Sequence, residues 1–327
     1  MPIDKEVSQE YLELLNRGVA RELQVSVQYM LQHSKVEKLL RKVIPENILG
    51  ETTTYEALAE VLKKFAIAEM KHLAAIMERI FILGGEATTK PSHVTIGNSL
   101  REFFALGVEA EKEALKLYRE VIAKADQEGD RETWGLFQKI YEDEEEHLLV
   151  FQDYANIEDE PDLGETPESP WRSIFTEDYV ALLNKALAAE ISAIVQYTTQ
   201  HEKASAQRLR SKRTALEVVR GTNKAEVLSA LLKKVFMEEM EHMERIAERI
   251  YEVEREAVAT ADPLPQVGDG PDDWIKLDRD AEDYAIRLYR QVIAKATELG
   301  DVKTKRMFES ILEQEEDHYW AFDDYLP

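Results

Sequence analysis

The chain has 327 residues, enough for two ordinary domains with cores of their own. Its 65 acidic against 41 basic residues leave a net charge of −24, which disfavours nucleic acid and anionic membranes as partners and suits cations. Cysteine is absent, which excludes disulfides, thiolate metal sites, iron–sulfur ligation and a thiol nucleophile.

The first predicted element is an amphipathic helix over Ser8–Val43, with apolar residues at three- and four-residue spacing and Glu22 on it. Helices over Thr54–Leu83, Ile96–Gln127 and Asp130–Tyr154 follow, separated by Pro45 and Gly50, by Gly84-Gly85 with Pro91, and by Gly129-Asp130. Thr53 and Glu56 have the spacing of a capping box, and Asn223 with Glu226 offers a similar start later on. The second-to-third connection is long and the third-to-fourth tight, which suits an up-down-down-up bundle with one crossover. Ile157–Pro170 is acidic and rich in proline, a linker. Four more helices are predicted over Glu177–Val219, Lys224–Ala257, Asp272–Leu299 and Val302–Tyr325, with Pro263, Pro265, Gly268 and Gly270 in the crossover.

The second half repeats the first. Leu15-Asn16-Arg17 through Gln28-Tyr29 parallels Leu183-Asn184-Lys185 through Gln196-Tyr197, and Glu111–Asp130 parallels Glu282–Asp301. The register drifts only from 168 to 171 residues, so the unit is a whole domain, duplicated. The expected organisation is therefore all-α: a four-helix bundle in 1–157, a linker in 158–171 and a second bundle in 172–327.

Chemistry enters through carboxylates and imidazoles. Glu69 and His72 lie three residues apart on one helix face, where both can reach one metal site. Glu144 and His147, Glu239 and His242, and Glu315 and His318 repeat that spacing. In so acidic a chain, one of the seven histidines could follow a glutamate at this distance by accident, and the Glu142–Glu146 run alone reads as a solvated face. Four such pairs in a repeated register argue against accident. Glu22 and Glu111 complete a first set, and Glu190 and Glu282 a second: one Glu from each of two helices and Glu-x-x-His from each of the other two. Four glutamates neutralise two divalent ions, so such a site can be buried, and the imidazoles leave positions open for dioxygen or peroxide. Hard carboxylate ligands accept iron or manganese.

These residues resemble bacterioferritin and the wider ferritin-like di-iron carboxylate family. The matching motifs are Leu-Asn-(x)5-Glu-(x)5-Gln-Tyr, Glu-Met-x-His-(x)6-Arg-Ile, Glu-(x)6-Tyr-Arg-[Glu/Gln]-Val-Ile and Glu-Glu-[Glu/Asp]-His, and they cover most of both halves. The resemblance implies two tandem ferritin-like bundles, a fused pseudo-dimer, each with a di-iron ferroxidase centre oxidising Fe2+ with O2 or H2O2. It implies that Glu69 and Glu144 bridge the metals, that Glu22 and Glu111 are terminal, that His72 and His147 take one metal each, and that Glu239 and Glu315 bridge in the second set. Met70 and Met240 match the methionine that ligates haem b in bacterioferritin; packing at an interface is the other reading. The family's first-to-second-helix connection is shorter than Ser34–Thr53 and Ser205–Thr222, and no fifth helix is evident, so a storage cage is not implied.

Tyr29, Tyr118, Tyr197 and Tyr289 each lie seven residues after a candidate ligand and are expected to hydrogen-bond to carboxylates, relay electrons or pack. His33 and His201 are expected to be hydrogen-bonded residues at the bundle end. Asp143 and Gln314 precede the fourth-helix glutamates, and as outer partners of the ligands they would distinguish the two sites. A peroxidase or oxygenase acting on a non-iron substrate is the alternative, needing an apolar channel beside residues such as Ala66, Leu115 or Ile140. A haem-carrying scaffold is a third reading, disfavoured by the full ligand sets. The expected setting is cytoplasmic, since the start lacks a signal-peptide pattern and no stretch has the length and apolarity of a membrane span. No nucleic-acid or membrane partner is expected, and a homo-oligomer is compatible with the fold.

Overall fold

The computed structural model describes residues 7–43, 54–155, 172–211 and 224–326. The linker at Ile157–Pro170 and the capping residues Thr53 and Asn223 lie outside them. The chain forms α1 (Gln9–Val43), α2 (Thr54–Ile82), α3 (Leu100–Glu128) and α4 (Arg131–Ala155), then a 3-10 turn at Arg172–Ile174. It continues through α5 (Glu177–Ser211), α6 (Lys224–Glu252), α7 (Pro271–Leu299) and α8 (Val302–Asp323). Residues 7–36 and 54–155 fall in one compact unit, and 172–204 and 224–326 in a second.

Within the first unit the order is up-down-down-up, as expected. The end of α2 meets the start of α1, where Gly85 lies against Leu12. Tyr11 on α1 donates to Asp130 at the α3–α4 junction, and Arg79 near the end of α2 reaches the same carboxylate. These contacts make α1 antiparallel to α2 and α3, and parallel to α4. Leu15, Val19, Leu73, Ile76, Ile80, Tyr118, Val121 and Phe137 form a core with no measurable exposure. A methionine or aromatic at these positions is therefore packing, at helical spacing.

The crossover is fastened along α1. Asn16 donates to the Glu86 carbonyl and accepts from the Thr88 amide, Ser92 donates to the Ala20 carbonyl, and Gln32 donates to the Ile96 carbonyl. The second unit repeats the pattern with Asn184 on Glu256 and Val258, Asp262 on Ala188, and Gln200 on Val267. These bonds explain why two helix boundaries differ from expectation. Gln32 and Lys35 hold residues 96 and 97 on the crossover, and α3 begins only after Ser99, which accepts from the Glu102 amide. Likewise α6 stops at Glu252 rather than Ala257, because Glu254 turns left-handed (φ 61°) and Asn184 takes the next residues.

The tight α3–α4 and α7–α8 junctions use Gly129 and Gly300 in left-handed conformation, φ 71° and 72°, ending one helix. The next residue starts the other: Asp130 accepts from the Thr133 amide and Asp301 from the Thr304 amide. Each aspartate also takes a buried arginine, Arg79 at 2.6 Å and Arg249 at 2.9 Å. The sequence motif contains these arginines, but their partners come from another helix.

Candidate metal centres

Glu22 on α1, Glu69 and His72 on α2, Glu111 on α3, and Glu144 and His147 on α4 meet in the middle of the first bundle, all buried. Glu69 presents Oε2 to His72 Nδ1 at 3.0 Å and Oε1 to His147 Nδ1 at 2.9 Å. Glu144 does the same with Oε1 and Oε2, at 3.3 Å each. Two carboxylates thus span the gap between two imidazoles whose rings lie 6.2 Å apart. Glu22 stands 4.0 Å from His72 Nδ1. Two four-residue groups result, sharing Glu69 and Glu144, and each could hold a metal ion: the first adds Glu22 and His72, the second Glu111 and His147.

The second bundle rebuilds this from Glu190, Glu239, His242, Glu282, Glu315 and His318. Glu239 lies 3.0 Å from His242 and 3.2 Å from His318; Glu315 lies 2.9 Å and 3.4 Å from them. Glu190 is 3.8 Å from His242 and Glu282 3.9 Å from His318. All twelve residues singled out in the sequence are brought together, six in each bundle. Buried oxygens of Glu22, Glu144, Glu239 and Glu315, with Nδ1 of His318, lack a well-formed hydrogen bond. Buried groups are seldom left so, and convergent lone pairs are what a cation requires.

The protonation pattern follows from crowding. Burial pulls each imidazole down, but hydrogen bonds to the bridging carboxylates outweigh it: His72 is pushed up to about 12, His147 to about 10, His242 to about 11 and His318 to about 12. Burial alone would raise Glu69 and Glu239, yet hydrogen bonds from both histidines hold them well below the carboxylate range. Glu144 and Glu315 are lowered too: against burial and a neighbouring glutamate, Arg21 and then the histidines prevail at Glu144, and the histidines at Glu315. Glu22, Glu111, Glu190 and Glu282 go the other way, raised by burial and then by the bridging carboxylates. Without metal, the histidines therefore favour their protonated form and the bridging-position glutamates their ionised form, while burial favours the neutral form of Glu22, Glu111, Glu190 and Glu282.

The outer nitrogens are also held. His72 Nε2 meets Asp143 at 3.1 Å and His242 Nε2 meets Gln314 at 3.2 Å, so the two positions contact the candidate histidines and differ between the bundles. His318 Nε2 meets Glu238 at 2.8 Å. The first bundle has Ala68 in that register, and the Phe65 ring lies 4.0 Å from the His147 ring. Three of the four tyrosines bond to carboxylates across the bundle: Tyr29 to Glu111, Tyr197 to Glu282 and Tyr289 to Glu190. Tyr118 does not follow; its hydroxyl is buried without a partner. His33 and His201 hydrogen-bond to the carbonyls of Ala59 and Ser229 within their own bundles. Met240 is buried and Met70 half-buried, each turned off the ligand face as the residue after a ligand. Ala66, Leu115 and Ile140 are packed core.

Two features escaped the sequence. Arg21, buried at 6% exposure, lies among the first cluster's glutamates; its counterpart is Ala189. Asp278, one turn before Glu282, is fully buried and receives Gln196 at 2.8 Å; its counterpart is Gly107. Gly107 admits no side chain, since a Cβ there would lie 2.7 Å from the Phe151 ring. Burial, opposed by hydrogen bonds from Gln196 and Gln200, pushes Asp278 up to about 8. The folded state thus binds this proton more tightly than the unfolded one. Its contribution is full below the ordinary value of 3.8 and is lost as pH rises towards about 8. We expect Asp278→Asn to flatten that slope and gain about 1–3 kcal/mol at pH 7, measured by urea unfolding across pH.

Bundles of this topology with a duplicated Glu and Glu-x-x-His interior define a ferritin-like class of metal-carboxylate protein. The ferritin model, described as a ferritin-like domain, matches residues 12–158 and again 217–327. Bacterioferritin of Desulfovibrio desulfuricans is 30% identical over 146 residues, 44% of this chain and 74% of that protein. Bacterioferritin of Mycobacterium avium is 28% identical over 151 residues, 46% and 86%. A crystal structure of the D. desulfuricans protein, titled for its diiron site in different catalytic states, is 29% identical, covering 49% of this chain and 90% of that one with a TM-score of 0.41. The chain belongs to the ferritin-like domain family, as a tandem duplication. No described helix is long and apolar enough to cross a membrane.

Proposed function

We propose that each bundle holds a dinuclear centre and that the protein oxidises Fe2+ with O2 or H2O2. The observation that carries this is the double span of Glu69 and Glu144, each facing both histidines, with Glu239 and Glu315 repeating it. In this reading Glu69, Glu144, Glu239 and Glu315 bridge, Glu22, Glu111, Glu190 and Glu282 are terminal, and each histidine ligates one metal through Nδ1. Fe2+ held there would be the substrate, giving electrons to O2 or H2O2 and ending as Fe3+. The protein's part is to fix the ligands: Tyr29, Tyr197 and Tyr289 hold terminal carboxylates, while Asp143, Gln314 and Glu238 orient imidazoles through Nε2.

Metal content of the purified protein, with stopped-flow Fe2+ oxidation, tests the reading. About four irons per chain, two for each ligand set, with rapid oxidation would support it. Metal entry must also displace protons. Imidazoles and buried carboxyl groups that hold protons release them as divalent ions enter. Calorimetry of Mn2+ binding to the second centre in buffers of different ionisation enthalpy is expected to show net proton release; a value near zero would remove this coupling.

A cavity of about 520 Å3 that reaches Glu190, Glu239, Glu282 and Glu315 favours one second reading, a peroxidase or oxygenase acting on a small organic substrate. It lies elsewhere than the Ala66, Leu115 and Ile140 channel expected from sequence. Bound metal without iron turnover would select it. Haem ligation by Met70 and Met240 rests on the resemblance alone, and an absorption spectrum after haem reconstitution decides it. We further propose that 158–171 links bundles 1–157 and 172–327, and that the protein works in the cytoplasm.

A further inference from the structure

The two centres share candidate ligands and register, but among the described residues only the first sets an arginine within its glutamates: Arg21, where the second has Ala189. In the first bundle, Arg21 Nη2 lies 2.5 Å from Glu111, and Nη1 lies 3.4 Å from Glu22, 3.7 Å from Glu144 and 3.9 Å from Glu69. One guanidinium thus faces all four glutamates. It is not merely drifting in an acidic hole, because Nη2 also donates to the Ala110 carbonyl at 3.0 Å. The surroundings of the two positions differ as well: Tyr289 bonds to Glu190 in the second bundle, whereas the equivalent Tyr118 hydroxyl is buried without a partner.

Access differs in the same sense. The second bundle's cavity runs in between α5, α7 and the crossover, past Ala189, to the glutamates. The corresponding cavity in the first bundle, about 370 Å3, has Arg21 in its wall and reaches none of the four glutamates.

We propose that Arg21 is a built-in cation that competes with divalent metal in the first centre and closes its entrance, so that the second centre, with Ala189, is the high-affinity open one. The proposal rests on the metal-centre reading above. Electrostatics gives its direction. Four glutamates balance two divalent ions, and a retained guanidinium leaves one buried positive charge in excess. The first centre must either bind metal against that charge or expel Arg21 and break its bond to Ala110.

The test is a calorimetric titration of the full-length, metal-free chain with Mn2+, which binds hard carboxylate sites without needing turnover. Wild type is expected to show two classes of site differing at least about tenfold. The tight class should disappear with Glu239→Ala and the weak one with Glu69→Ala. Arg21→Met, similar in length and uncharged, should bring the weak class up to the tight one, and Ala189→Arg should weaken the tight class. Should the latter fail to fold, as judged by circular dichroism, Arg21→Met and Arg21→Ala carry the test alone. A single class of sites in wild type, or two classes unchanged by Arg21→Met, would overturn the inference while leaving the metal centres standing. No Mn2+ binding in either half would overturn both.

Discussion

Glu69→Ala combined with Glu239→Ala is expected to lower the rate of Fe2+ oxidation at least about a hundredfold, to the background of the buffer. Outer-sphere partners of a ligand already cost about 10–100-fold when removed, and these two residues stand closer to the chemistry. Each is the side chain that faces both imidazoles of its bundle, at 3.0 and 2.9 Å for Glu69 and 3.0 and 3.2 Å for Glu239. In the proposed centre, deleting one would take away a carboxylate shared by both metals and leave the ions less shielded from each other. Glu239→Ala alone separates the bundles: if the second centre is the open one, it removes most of the turnover, and Glu69→Ala alone removes little. Stopped-flow absorbance with anaerobic Fe2+ added to aerated protein reads all three. Fast oxidation in the double variant would remove the ferroxidase proposal.

The second large effect concerns stability. Asp130→Ala should destabilise the first bundle by about 3–5 kcal/mol, the usual cost of leaving a buried charge without its partner. Arg79 is buried, and after this change it keeps only Thr133 and the half-exposed Glu132 carboxylate. The same aspartate caps α4 and accepts from Tyr11, so three elements lose an anchor together. Asp301→Ala should do the same to the second bundle through Arg249, Thr304 and Tyr179. Urea unfolding should show the affected bundle melting earlier, and Arg79→Met added to Asp130→Ala should recover part of the loss. A single variant with an unchanged midpoint would mean that the pair is solvated in solution.

The clustering of the candidate ligands was legible because glutamate and histidine three residues apart define a helix face locally, and the repeat placed the same face in each half. Bundle topology was legible from the unequal lengths of the connections. Arg21 was not. An arginine on a helix in an acidic chain reads as solvated, and nothing in α1 alone says that it turns inward beside Glu22. The tyrosines were half legible: their spacing put them at the right depth, but Tyr29 bonds to Glu111 on α3 rather than to its own helix, and the Tyr118 hydroxyl has no partner. Asp278 could have been noticed as an acidic residue standing where the first repeat has Gly107. Its consequence depends on Gln196 and Gln200, which only folding brings to it.

The crossover sets a limit of another kind, on chain length. Between the bond from Ser92 to Ala20 and the bond from Gln32 to Ile96, α1 advances twelve residues while the crossover advances four. At a rise of 1.5 Å per residue the helix covers about 18 Å, whereas four residues fully extended reach about 13–14 Å. Counted from the Ser92 amide to the Ile96 carbonyl, the five residues and the Gln32 side chain together cover that span, so the segment has to run extended. Removing one residue there is expected to cost a fastening, while adding one would only give slack. A tag or spectroscopic probe grafted into the protein belongs in that stretch, and deletions do not.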